Sequence, residues 1–185
     1  EKIASLKGTG DIGSADIKGR IMPGHSIGVL QILNDFVMKP TATYEAEVSV
    51  NGADTILVGG EAQLAGTLDL RSFKTKRPQL KNKSFTLLTA GIRRQGVFAH
   101  TSTDRLKYTV QYLPQSVQVL IGNMQDFTDA FPPGDNSNAE KTATYFDTFA
   151  DNRTLSPDLR QVINGLDNFL QAGDSAAVQN AFNQI

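Results

Sequence analysis

The feature that most constrains this chain is one change of hydrophobic periodicity, from a period of two in its first two-thirds to helical spacing in its last third. Residues 44–50 and 62–70 alternate apolar and polar side chains, which predicts strands with one face turned inward. After residues 131–138, which are rich in Pro, Gly and Asn, the apolar spacing becomes that of amphipathic helices. Strands followed by helices indicate a mainly β unit with an α-helical appendage, because a doubly wound α/β fold would interleave the two.

The same patterns predict three regions: strands over residues 1–122, a linker over 123–137 and helices over 138–185. Ser156 and Pro157 are typical of a helix start. Gly173 is typical of a helix end, after which Asp174 can cap the next helix. The main helix is expected to turn one apolar stripe inward, formed by Leu159, Val162, Ile163, Leu166, Phe169 and Leu170.

Composition excludes several classes of site. The chain has no cysteine, so disulfides, thiolate metal sites and cysteine nucleophiles are excluded. A formal net charge of -1 does not indicate nucleic acid or an anionic membrane as partner. The chain opens on Glu1 without a signal-peptide pattern. We therefore expect a piece of a longer protein, whose targeting signals lie outside these residues.

One motif resembles a catalytic element. Residues 24–28 match G-x-S-x-G, the nucleophile elbow of α/β-hydrolases, which would make Ser26 an esterase nucleophile. That elbow needs a buried strand before the serine and a helix after it. The polar stretch before Ser26 and the strand-like stretch after it do not favour this interpretation.

His25 and His100 are the only histidines and have no partner at metal-ligand spacing. We therefore expect no catalytic, metal or cofactor-binding residues.

A basic cluster surrounds Pro78 and contains Arg71, Lys74, Lys76, Arg77, Lys81 and Lys83. It lacks the series of aromatic rings that stacks nucleic-acid bases, so nucleic acid is not expected as a partner. Two interpretations stay open. The cluster is either a solvated loop or a surface that contacts polyanions such as lipopolysaccharide phosphates or host-cell glycans.

The order of these segments resembles the passengers of bacterial autotransporters, the proteins of type V secretion. Residues 19–30 resemble that family's G-x-I-x-P-G-x-S-I-G-x-L stretch, and residues 54–68 resemble its D-x-x-x-V-x-G-x-A-x-L-x-G-T-L run. Residues 138–147 resemble its N-Q-x-x-x-A-x-A-L-D helix. The chain departs from the family pattern at Ala139, Phe146 and Phe182. Further matching segments are residues 44–48, 85–90, 97–99, 108–113 and 181–185.

The resemblance implies a right-handed parallel β-helix over residues 1–122, forming the membrane-proximal end of a passenger. It implies that the helical segment leads to an outer-membrane translocator barrel that this chain lacks. The protein would then be located at the cell surface or outer membrane of a Gram-negative bacterium, or be secreted from it. Its partners would be the rest of its passenger and the translocator.

The function that follows from the resemblance is structural. The membrane-proximal end of the β-helix would act as an autochaperone that templates folding of the passenger, and the chain would not be an enzyme. Its larger side chains are expected to be buried and to form the folding nucleus. An adhesin region that binds host or sibling cells is the alternative. The nucleus candidates are Phe85, Leu87, Phe98, Tyr108, Val110 and Tyr112.

Overall fold

The computed structural model describes residues 5–73, 77–103, 106–122, 126–149 and 156–184. The chain divides into two compact units, Glu1–Gly122 and Asn123–Ile185. We call them the three-sheet unit and the helical unit. Each is described by itself below.

Strands account for nearly all of the regular structure of the three-sheet unit. A short 3₁₀ turn, Arg77–Leu80, precedes β12. The strands are β1 (Ser5–Gly8), β2 (Gly10–Ile12), β3 (Ala15–Ile17), β4 (Arg20–Pro23), β5 (Val29–Ile32), β6 (Phe36–Met38), β7 (Thr43–Ser49), β8 (Gly52–Ala53), β9 (Thr55–Val58), β10 (Glu61–Leu64), β11 (Thr67–Ser72), β12 (Ser84–Ala90), β13 (Arg93–Gly96), β14 (His100–Thr103), β15 (Tyr108–Tyr112) and β16 (Ser116–Ile121).

In the described residues these strands form three sheets. Sheet A has the order β1-β4-β7-β11-β14, with β8 attached to β7. Sheet B has the order β2-β5-β9-β12-β16-β15, and sheet C the order β3-β6-β10-β13. Apart from β8 and β16, which stay in the sheet of the preceding strand, successive strands belong to sheets A, B and C in rotation. Most hydrogen-bonded neighbours therefore come from successive passes of the chain through the three sheets.

The prediction of a right-handed parallel β-helix over residues 1–122 is wrong. The strands make three separate sheets, and only sheet C is parallel throughout. In sheet A, β8 pairs antiparallel with β7. In sheet B, β16 pairs antiparallel with both β12 and β15. The physical reason is that tight turns at residues 50–51 and 113–115 reverse the chain within one sheet, whereas a uniform parallel stack would carry it on to the next.

The core of this unit is built from inward side chains that align across neighbouring strands. In sheet A, Ile21, Tyr44 and Leu68 occupy one register row and are fully buried. In sheet B, Ile32 and Val58 are paired and buried in the same way. The period-two pattern predicted the inward positions of Tyr44 and Leu68 correctly. Each such side chain contributes about 1.5–3 kcal/mol of burial free energy.

The helical unit contains α1 (Asn138–Phe149), α2 (Pro157–Gln171) and α3 (Ser175–Phe182). The predicted capping signals are confirmed, because the Ser156 side chain accepts the Leu159 N–H and the Asp174 side chain accepts the Ala177 N–H. No helix in the described ranges is long and apolar enough to cross a membrane.

The predicted linker over residues 123–137 contributes to the core of the helical unit. A 3₁₀ turn, Phe127–Ala130, lies within it. Phe127, Ala130 and Phe131 are buried against residues of all three helices. Asp147 on α1 fixes this turn by accepting the N–H groups of Phe127 and Thr128. The sequence did not indicate that this segment is buried. The Pro- and Gly-rich stretch that follows it is typical of a linker, and the apolar residues before that stretch were assigned to the same linker.

The predicted apolar stripe of α2 is only partly buried. Ile163, Leu166 and Leu170 are buried, and Leu159 packs against the core. Val162 and Phe169 are 49% and 45% exposed. The stripe is therefore wider than the surface that this small core offers.

Candidate functional site

The pairing of sheet B changes from parallel to antiparallel at β12. Leu88–Ala90 pair parallel with Ile56–Val58 of β9, whereas Ser84–Thr86 pair only with β16, antiparallel. The register of the antiparallel pair shifts between Thr86 and Leu88, which makes Leu87 the extra residue of a β-bulge. Because of this bulge, Leu87 and Leu88 are both fully buried although they are adjacent in sequence. We call the segment β12 with the β15–β16 hairpin the closing segment.

A hydroxyl group from another sheet satisfies the carbonyl group of the bulge. The Tyr44 hydroxyl, on β7 of sheet A, lies 2.8 Å from the Leu87 carbonyl oxygen and 3.1 Å from that of Asp54. A β-bulge disrupts the ladder locally and leaves backbone groups that need other partners. Tyr44 is fully buried, and burial raises its pKa well above the ordinary value. The hydroxyl is therefore a neutral donor that links sheet A to the closing segment.

Three aromatic rings extend from Tyr44 to the end of sheet B. The ring centroids of Tyr44 and Phe98 are 6.4 Å apart, and those of Phe98 and Tyr112 are 6.2 Å apart. The Phe98 N–H donates to the Tyr112 hydroxyl. The Arg94 guanidinium lies 5.2 Å from the Tyr112 ring centroid, within cation–π range. Aromatic pairs at these separations stabilise by more than their buried area alone.

Replacing Tyr44 with Phe is expected to lower the free energy of unfolding of the three-sheet unit by about 1–3 kcal/mol, because two buried carbonyl groups lose their hydroxyl donor while the ring is retained. Urea denaturation followed by far-UV circular dichroism measures this difference. Tyr108→Phe is the matched control, since its hydroxyl bonds at an exposed position, and we expect little change. A Tyr44→Phe variant as stable as its parent would remove the role assigned to the hydroxyl.

The structure divides the six predicted nucleus residues into two groups. Phe85, Leu87 and Phe98 are buried. The other three, on β15, are only half-buried because β15 lies at the edge of sheet B. The expectation that all six are buried is therefore corrected for Tyr108, Val110 and Tyr112. Sequence reasoning did not single out Val117, Val119 and Ile121 of β16, which are fully buried.

A second cluster, of charged side chains, lies on the outer face of sheet A. Glu45 and Asp69 are 9% and 4% exposed. Arg71 bridges them, at 2.8 Å from Glu45 and 3.0 Å from Asp69. Arg20 also contacts Glu45 at 2.8 Å. The period-two pattern assigned these acidic residues to a solvated face. Glu45 is reached by Arg20 and Arg71 from strands β4 and β11, whereas Asp69 is paired with Arg71 two residues further along its own strand.

Asp54 adjoins this cluster and is only 2% exposed. Its two carboxylate oxygens accept the N–H groups of Gly28 and Glu47, at 2.8 and 3.0 Å. Burial raises the pKa of Asp54 to about 7, and the nearby charges of Glu47 and Glu45 add to the increase. The two backbone donors oppose this increase because they favour the charged carboxylate. No sequence signal identified Asp54 as a buried acid.

The hydrolase motif does not form a nucleophile elbow. Ser26 is exposed and lies between strands β4 and β5, so the helix that the elbow requires is absent at this position. His25 is exposed in the same loop, and His100 lies on β14 at an edge of sheet A. The geometry therefore provides no activated serine here.

The predicted basic cluster is only partly described. Lys74 and Lys76 lie outside the described residues, and the side chain of Arg77 is likewise not described. Lys81 and Lys83 are exposed. Arg71 forms ion pairs with Glu45 and Asp69, so its charge is not free to bind a polyanion.

Within the described ranges, no group of three or more His, Asp or Glu side chains has an arrangement that could hold a metal ion. Comparisons with known protein families and with curated proteins find no match for this chain. Proposals about function therefore depend on the geometry of the closing segment and on the resemblance described above.

Proposed function

We propose that this chain is a folding module from the membrane-proximal part of an autotransporter passenger, located at the surface of a Gram-negative cell. In this proposal the closing segment folds first. Strands nearer the amino end then pair onto it one pass after another, and the finished sheets are held outside the cell. The partners would be the rest of the passenger and its translocator.

The observation that supports this proposal most is the two-sided pairing of β12. One edge of β12 pairs parallel with β9, and the other pairs antiparallel with β16. The β15–β16 hairpin needs only residues 113–115 to connect its strands. A short loop costs little closure entropy, so this hairpin can form before any parallel pair. The free edge of β16 in this hairpin would then offer hydrogen-bonding groups to β12, after which β9, β5 and β2 can add in turn.

The amino end provides the opposite arrangement. In the described residues β1, β2 and β3 are the terminal strands of sheets A, B and C. Each pairs parallel with the strand of the next pass. Their other edges have no strand partner in the described part of the chain, so all three sheets can continue in that direction. At the other end β13, β14 and β15 are likewise edge strands among the described residues, and that end differs by the antiparallel pairing of β16 with both of its neighbours. Growth from this hairpin toward the amino end is the geometry that a templating module needs.

The order of folding is tested with two matched substitutions in sheet B. Ile121→Val in β16 and Ile32→Val in β5 remove the same methyl group from fully buried positions, and each is expected to cost about 0.5–1.5 kcal/mol. We expect Ile121→Val to slow refolding and leave the unfolding rate nearly unchanged. Ile32→Val should mainly speed unfolding. Stopped-flow refolding of the whole chain, followed by tyrosine fluorescence, measures both rates.

A second pair extends the test to one of the predicted nucleus residues. Leu87→Ala and Leu30→Ala should show the same contrast between the closing segment and the amino end, with larger changes in rate. Equal effects of both substitutions on the refolding rate, or a slower refolding caused by the amino-end substitutions, would contradict the templating proposal.

The proposed location requires a separate experiment. Expressed from its complete gene in a Gram-negative host, the protein should be digested by protease added to intact cells, while a periplasmic marker stays intact. Full protection in intact cells, with digestion only after lysis, would contradict a surface location. The refolding result stands apart from this one, so the two parts of the proposal can fail separately.

A further inference from the structure

We propose that the side chains of Arg94 and Gln115 form an end cap on sheet C, which takes the place of a further pass of the chain and keeps a strand of a second copy from adding there. The proposal concerns backbone groups at the edge of β13. It does not depend on the secretion proposal or on the order of folding.

The corner between sheets B and C carries a column of hydrogen bonds from one pass of the chain to the next. Asn34 donates its N–H to the Gly13 carbonyl oxygen at 2.8 Å, and Gly60 donates to that of Asn34 at 2.9 Å. Ile92 donates in turn to the Gly60 carbonyl oxygen at 3.1 Å. These four residues follow β2, β5, β9 and β12. The column therefore reaches Ile92 with a carbonyl group that still needs a donor.

Gln115 ends this column with a side chain instead of a backbone group. Its Nε2 donates to the carbonyl oxygen of Ile92 at 3.1 Å and to that of Gly91 at 3.1 Å. The Gln115 carbonyl oxygen accepts the Ala90 N–H at 2.7 Å, which holds the residue over the corner. A side-chain amide donates as a peptide N–H does. Gln115 therefore supplies the donor that a further pass of the chain would otherwise supply.

Arg94 covers the outer edge of β13, which is the last strand of sheet C in the described residues. Its N–H donates to the Pro114 carbonyl oxygen at 2.7 Å and is thereby withheld from an added strand. Its guanidinium group donates to the Leu113 carbonyl oxygen at 2.9 Å and also to the Gly96 carbonyl oxygen of β13 itself. The cation–π contact with the Tyr112 ring supports this position of the guanidinium group.

Sheet C presents a step at which one more strand could add. In the described residues sheet C has four strands, whereas the main order of sheet A has five and sheet B has six. Counted from the amino end, β13 therefore lies one strand short of the end of sheet A. Unpaired edges recruit strands of other chains, and incompletely folded copies supply extended segments. Because the step has space for a single strand, an extended segment of a second copy is the occupant that the end cap excludes.

The test compares two double variants of the whole chain, Arg94→Ala with Gln115→Ala and, as the control, Arg93→Ala with Gln111→Ala. The control removes the same two types of side chain from exposed positions of β13 and β15. Each protein is refolded from urea at increasing concentration, and size-exclusion chromatography measures the monomer. We expect the cap variant to lose monomer at a concentration about tenfold lower than the parent, because its uncovered backbone groups can pair with another chain. The control should match the parent.

Two further variants separate the end cap from charge repulsion and from loss of stability. Arg94→Lys with Gln115→Ala keeps the positive charge but cannot bridge two carbonyl groups as a guanidinium does, so it should associate like the alanine pair. Ile32→Val destabilises the same unit through its buried core and leaves the edge of β13 covered. This variant should stay as monomeric as the parent.

Hydrogen exchange of the associated fraction locates the contact. Added protection is expected in β13 and not in β1, β2 or β3. The proposal is overturned if the cap variant stays as monomeric as the parent or if the lysine variant is kept monomeric by its charge. Association of Ile32→Val to the same extent, or protection gained only at the amino end, would overturn it as well.

Discussion

Replacing Phe182 with Ala is expected to lower the free energy of unfolding of the helical unit by about 3–5 kcal/mol, the usual cost of removing a buried Phe ring. Phe182 is 2% exposed. Its ring centroid lies 5.7 Å from that of Phe127, 6.3 Å from that of Phe131 and 5.2 Å from that of Phe146. Those three rings connect α3 to α1 and to the turn before it, so their common partner affects most of this core.

Circular dichroism at 222 nm during thermal unfolding measures this effect, since the α-helices of the described residues belong to the helical unit. Phe169→Ala removes the same ring from an exposed position of α2 and should change stability by less than about 0.5 kcal/mol. Equal losses for the two variants would contradict the packing described for this core.

The second large effect is expected for Gly66→Ala, at about 2–5 kcal/mol in the three-sheet unit. Gly66 has a φ of 73°, a conformation that costs other residues about 1–2 kcal/mol. An added Cβ would lie 2.2 Å from the carbonyl oxygen of Ala42, and overpacking of this kind typically costs about 1–3 kcal/mol more. The Gly66 carbonyl also accepts the N–H groups of Ala99 and His100 from the next pass of the chain. A shift of the Gly66 backbone would therefore weaken these two hydrogen bonds as well.

Gly134→Ala isolates the backbone contribution. Gly134 has a similar φ of 83° with no atom near its missing Cβ. Urea denaturation, analysed for the unit that contains each substitution, should show the larger loss for Gly66→Ala. If the two losses were the same, steric contact at Gly66 would have no part in the effect.

Sequence patterns predicted local structure well where one physical cause determined it. The start of α2 at Pro157 follows from the Ser156 cap, and the inward positions of β7 follow from alternation up to Val48. Alternation failed at Val50, which is 43% exposed. The chain turns there into the β7–β8 hairpin, and residues in a turn no longer follow the pleat.

The features of the candidate site depend on contacts between distant residues, and a linear pattern does not encode them. Tyr44 and Leu87 are 43 positions apart, and the reversal of pairing at β12 depends on which strand reaches it from the other side. Glu45 has the polar signature of a solvated residue, yet Arg20 and Arg71 make its burial tolerable. The β-bulge itself has no distinctive composition, since Leu87 and Leu88 resemble any short apolar run.

The hydrogen bond from Tyr44 to the Leu87 carbonyl also has a consequence for the fidelity of assembly. A slip of β7 by one residue would turn the Tyr44 ring to the outer face and bring Glu45 into the apolar interior. The same slip would leave the bulge carbonyl without its donor, which adds a further penalty for that single error. The Tyr44 hydroxyl therefore favours the correct register of β7 over registers shifted by one residue. It does this through a contact between sheets A and B, which share no strand pairing.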